Sequence, residues 1–160
     1  MPKRQIFYSF HYLPDAWRVQ QIRHMHVIDG NASVSPNEWE AVKAKGSAGI
    51  EKWIDNAMSS RSCVIVLIGA ETAGRKWIKY EIEKAWNSKN KGLFGIYIHN
   101  LGDSTGKTVS KGKNPFAEYS FANSKGEKVS IATYDPPANN VINTIKSDID
   151  SWIEKAIAQR

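Results

Sequence analysis

The chain holds one cysteine, Cys63, in 160 residues, so no internal disulfide framework can staple it. That usage fits a reducing compartment. Long apolar runs are also missing: the longest, Cys63 to Ala70, falls far short of the ~20 residues a membrane helix needs. The start, Met1 to Gln5, lacks the apolar core of a secretion signal, so a cytoplasmic protein is expected. No zinc-finger spacing and no His-Glu-x-x-His motif occurs. The pair His24 and His26 has no thiol or carboxylate at ligand spacing, so no metal site is expected. What remains is globular: 41% hydrophobic and 24% charged residues, with six tryptophans. A chain of this length buries roughly 68–70% of its unfolded surface and needs no staple.

The net charge of +6 is unevenly spread. Residues 61–120 carry ten basic groups against five acidic ones, whereas the segments on either side are nearly balanced. The excess includes Arg75, Lys76, Lys79, Lys84, Lys89 and Lys91. Such a stretch attracts nucleic acid, a small phosphate-bearing anion, or only water. Stacking aromatics do not alternate with the basic residues, so a solvated face is preferred to a nucleic-acid surface. Gly102 to Thr108 imitates a phosphate-binding P-loop but is one residue short between its glycines, and no apolar helix follows it.

Strands and helices alternate along the chain. Gln5 to Phe10 reads as a buried strand, followed by a helix that Pro14 and Asp15 open and that runs to Arg23. Met25 to Ile28 is a faint second strand. The pattern from Trp39 to Met58 is helical, with a break expected near Gly46 to Gly49. Cys63 to Gly69 is continuous and β-branched, as in a central parallel strand covered on both faces. A helix over Lys76 to Ser88, a strand over Leu93 to Ile98, and a loop insertion over residues 100–126 follow. Val129 to Tyr134 reads as the last strand, and the apolar positions from Ile142 to Ala156 as a closing helix. The sum is a single α/β domain over residues 1–160, a three-layer flavodoxin-like sandwich with strand order 2-1-3-4-5. In such sheets ligands bind beyond the carboxyl ends of the first and third strands. Here that means Ser9 to Tyr12 and Gly69 to Trp77. The third strand ends without an aspartate, which argues against a phosphate-accepting receiver domain.

Trp77 and Glu81 are four apart and share a helix face at the edge of the stripe Ile78, Ile82 and Ala85. Spacing alone fits an ordinary amphipathic helix with a surface glutamate as readily as a carboxylate at a cleft. For Trp77, core and pocket wall are both open readings.

The run Arg4 to Tyr12 resembles the first box of TIR domains, a strand ending in Ser-Phe. Val64 to Thr72, followed by Arg75 to Glu81, resembles the third strand and the W-x-x-x-E helix of NAD-consuming TIRs. Together with Trp39 to Lys43, Gly95 to His99 and Asn114 to Phe116, these pieces resemble the bacterial TIR-like proteins of Thoeris anti-phage defence. The resemblance implies a TIR fold and an enzyme that cleaves NAD, releases nicotinamide and forms a cyclised ADP-ribose signal. NAD would be substrate and no cofactor would be needed. It implies Glu81 as the catalytic carboxylate, Ser9, Phe10 and His11 at the dinucleotide, and Trp77 walling the ribose pocket. Arg75, beside the start of the helix, would reach the pyrophosphate. As partners it implies self-association and a downstream effector switched on by the product, with no membrane involved. The alternative is a TIR interaction module without catalysis.

Overall fold

The computed structural model describes residues 4–23, 29–30 and 42–160. The expected strand Met25 to Ile28, the pair His24 and His26, and the helix start at Trp39 lie outside the described residues. Five strands form one parallel sheet in the order β2-β1-β3-β4-β7. β1 is Gln5–Ser9, β2 Asp29–Gly30, β3 Cys63–Ile68, β4 Gly92–Tyr97 and β7 Thr133–Tyr134. The helices described from end to end are α1 (Tyr12–Arg23), α2 (Gly46–Met58), α3 (Lys76–Asn87) and α4 (Val141–Ala158). This is the flavodoxin-like order expected from the alternating pattern.

β3 lies in the middle because nothing in it tolerates water: all six residues are fully buried. It pairs with β1 from Ile6↔Cys63 to Ser9↔Val66 and with β4 from Cys63↔Gly92 to Ile68↔Tyr97. Successive side chains point to opposite faces, so the sheet splits its apolar residues into two layers. Ile6, Tyr8, Ile65, Leu67, Phe94 and Ile96 pack with α1 and α4. Phe7, Val64, Val66 and Ile68 pack with α2 and α3. Ser9 follows Phe7 by two residues and therefore shares its face, toward α3.

α2 begins at Gly46, whose φ of +74° is the backbone conformation the expected break requires. The last strand is shorter than its pattern suggested. Lys128–Val129 (β6) pairs antiparallel with Phe121–Ala122 (β5), and only Thr133–Tyr134 joins the main sheet. Residues 100–120 hold no helix or strand, and the β5–β6 hairpin closes the end of that segment. Phe121 packs edge-on against Trp86 of α3 at 4.9 Å, and the Trp86 indole N–H donates to Ala122 O. Aromatic anchoring, not strand propensity, holds these two-residue strands.

Candidate active site

The carboxyl ends of β1 and β3 and the first two turns of α3 meet at one point. α3 presents its stripe Ile78, Ile82 and Ala85 to the sheet, and Glu81 comes with it, only 8% exposed. Across from it Ser9 is fully buried, and its hydroxyl donates to Glu81 Oε1 at 2.7 Å. No cation touches this carboxyl among the described residues. Burial therefore dominates and raises its pKa to about 8, with the Ser9 hydrogen bond pulling the other way. A group held protonated at neutral pH and ready to ionise near a cation is a site signature.

α3 is fixed in place on the α2 side. The Tyr80 hydroxyl donates to Asp55 Oδ1 at 2.7 Å, which raises the Tyr80 pKa to about 12. Trp77 is half-buried, packs on the α2–α3 layer, and meets Tyr80 edge-on at 5.7 Å. It is thus a core residue on one side and open on the other. Trp77→Phe keeps most of the apolar area. We expect it to leave the melting temperature within a few degrees while raising the Michaelis constant for the substrate. Lost stability with unchanged kinetics would assign the indole to the core alone.

The remaining expected residues are distributed unevenly. His11 lies at the end of β1 within electrostatic reach of Arg75 and Glu71; burial first, then the Arg75 charge, lowers its pKa. Its Nδ1 is buried without a hydrogen-bond partner. Phe10 packs against the α1–α4 layer, on the face opposite Glu81. The structure therefore brings Ser9 and Glu81 into contact and His11 near Arg75, but sends the Phe10 ring elsewhere. Arg75 is the N-cap of α3 and offers no side-chain cap; its Nε donates to Glu71 O and its Nη2 lies 3.6 Å from Glu71 Oε2. Lys76 reaches Ser47 and lies over the Trp77 ring, and Lys79 pairs with Glu118. These contacts are solvent-exposed and exchange readily for a stronger anion.

Three polar residues at this end are buried without a sequence signal of their depth. Thr72 is fully buried and its Oγ1 accepts the Gly69 N–H at 2.8 Å. Asp15 and Arg18 are each 2% exposed and bonded to one another. On the sequence they look like a surface pair at i, i+3; only the buried neighbours Val19 and Ile22 hinted at an inward face.

A family model described as "Thoeris protein ThsB, TIR-like domain" matches residues 7–103. A protein of Bacillus cereus (strain MSX-D12) named "Putative cyclic ADP-D-ribose synthase ThsB1" is 34% identical over 118 residues. The matched region is 71% of this chain and 61% of that protein, so the chain spans less than two thirds of that relative's length. Among the described residues no helix is long and apolar enough to cross a membrane.

Proposed function

Because the chain belongs to the Thoeris ThsB TIR-like family, we propose that it cleaves NAD, releases nicotinamide and forms a cyclised ADP-ribose that signals to a separate effector. The observation that supports this reading best is the buried Ser9–Glu81 pair at the carboxyl end of the sheet. The bond from ribose C1′ to nicotinamide nitrogen breaks with its electron pair leaving on the nitrogen, so nicotinamide departs neutral. Positive charge develops on the ribose ring. A carboxylate facing that ring stabilises it more than it stabilises the ground state, which is the requirement for catalysis.

Glu81 is suited to this work because its surroundings exclude water and, among the described residues, supply no competing cation. The pyridinium of bound NAD makes the ionised form favourable, so Glu81 gives up its proton to solvent as substrate seats. Ser9 holds one carboxyl oxygen and leaves the other for the ribose hydroxyls. C1′ is then captured by another hydroxyl of the same molecule, whose proton passes to solvent, and the ring closes. Capture by water instead gives linear ADP-ribose. Trp77 walls the ribose, Arg75 supplies positive potential for the pyrophosphate next to the uncapped first turn of α3, and His11, kept neutral by burial and by Arg75, offers its backbone N–H to the dinucleotide.

The deciding measurement is incubation of the protein with NAD, with and without a phage-derived trigger, reading products by mass spectrometry. Nicotinamide and a cyclised product in either arm support the reading. Their absence from both leaves a non-catalytic assembly module. Arg75→Ala is a second check. We expect weaker NAD binding, a loss that shrinks as salt rises because the contact is exposed and screened. Unchanged kinetics at low salt, together with altered self-association, would assign Arg75 to assembly.

A further inference from the structure

Asp15 and Arg18 carry charge, lie almost wholly out of water, and take no part in the Glu81 hydrogen bond. The Arg18 guanidinium reaches acceptors on its own helix and on the loop after β4. Nη1 donates to Asp15 Oδ1 at 3.3 Å, Nε to Leu101 O at 2.8 Å and Nη2 to Lys107 O at 2.9 Å. It thereby ties α1 to the loop that follows β4. Asp15 in turn lies directly on Gly69, where an added Cβ would stand 2.1 Å from Asp15 Oδ2. Only glycine admits the carboxylate there. The loop closes in on the same residue: a Cβ on Gly112 would stand 2.1 Å from the Gly69 carbonyl oxygen. Gly69 N–H donates to Thr72 Oγ1, and Thr72 opens the turn that delivers α3. Three segments therefore share one joint at Gly69, and the third of them leads into the helix that carries Glu81.

A buried ion pair contributes little net stability, because desolvation offsets the attraction. A guanidinium held by fixed acceptors in separate segments has a defined orientation, and that is its value. We propose that Asp15 and Arg18 are positioning residues: through Gly69 they hold the β3–α3 turn and the loop after β4 in the arrangement that seats Glu81 against Ser9. This rests on the reading of Glu81 as the reacting carboxylate. Charge does not carry the effect directly, since the Glu81 ionisation is set by burial and Ser9. The groups acting on Asp15 are Arg18 first, then Arg75 and Glu71.

The test uses the full chain as Arg18→Lys, Arg18→Gln and the doubly neutral Asp15→Asn/Arg18→Gln. Each is followed by NAD turnover under conditions that activate the wild type, by thermal unfolding, and by carbon-13 NMR titration of glutamate-labelled protein. The titration reads Glu81 without any turnover. We expect kcat to fall about tenfold or more in the two Gln-bearing variants, well below their melting temperatures, with the Michaelis constant nearly unchanged. Arg18→Lys recovers part of the loss. The Glu81 midpoint moves down from its wild-type value as water enters the joint. Folded variants with wild-type kcat and an unmoved midpoint overturn the proposal. Failure of all three to fold assigns the pair to stability alone and also overturns it. If Glu81→Gln itself keeps turnover, the reading of Glu81 fails separately, while the titration still decides the joint.

Discussion

Glu81→Gln is expected to abolish NAD cleavage, by about 10²–10³-fold or more, while the protein remains folded. That is the scale of removing one preorganised group that faces developing charge. The substitution keeps side-chain length and helix propensity, so α3 and its stripe are preserved. The Ser9 hydroxyl still finds an oxygen acceptor in the amide. What disappears is the ability to become an anion beside the ribose. Glu83 is the matching control: it lies on the outer face of the same helix, exposed, and interacts with Tyr119. Glu83→Gln should keep nearly wild-type turnover in the same nicotinamide-release assay. Substantial cleavage by Glu81→Gln would sink the assignment of the reaction to this carboxyl.

The second large effect is on stability and has a definite sign. Glu81 has a folded pKa of about 8 against an ordinary value of 4.5. Between these values the native chain keeps a proton that the unfolded chain has released. Stability therefore falls as pH rises from about 4.5 to 8, and levels off above that. The total is on the order of a few kcal/mol. Asp15, also raised by burial, adds in the same direction, whereas His11, lowered by burial from 6.5, opposes it on the acid side of that value. Melting curves of wild type and Glu81→Gln across pH 5–9 separate these contributions, because the variant retains the other groups. We expect the two to converge at low pH and the variant to be clearly more stable at pH 9. Parallel profiles would show that Glu81 titrates normally and is not desolvated.

Much of the architecture is legible in the residues. Cys63 to Ile68 has no polar position, and only a strand covered on both faces accepts such a run; the order of the sheet follows from right-handed crossovers. The stripe Ile78, Ile82 and Ala85 places Glu81 at the edge of the sheet-facing side of α3. Its depth is not legible, because burial of an edge position depends on what lies opposite. That partner, Ser9, is found only through the pairing of β1 with β3 and the parity it shares with Phe7. Phe10, next along, has the opposite parity and faces the other layer, which a strand-end motif does not reveal. The β5–β6 hairpin was missed because its strands are two residues long. Asn123 and Gly126, set between Phe121 and Val129, were the turn signal available for it: Asn123 Oδ1 accepts from the Lys125 and Glu127 N–H groups, and Gly126 has a φ of +79°.

The Ser9–Glu81 hydrogen bond joins residues 72 positions apart, one from the first strand and one from the helix after the third. Neither side chain has this partner until β1 has closed on β3 in register, a contact between distant parts of the chain that must meet its loop-closure entropy first. The site is therefore a late product of folding, assembled with the sheet rather than on a prebuilt piece of it. A nascent or partly unfolded chain displays the same W-x-x-x-E segment, yet its glutamate sits in water with an ordinary pKa and has no Ser9 beside it. Any chemistry that needs this pair is therefore tied to the completed fold and is absent from a chain still being synthesised.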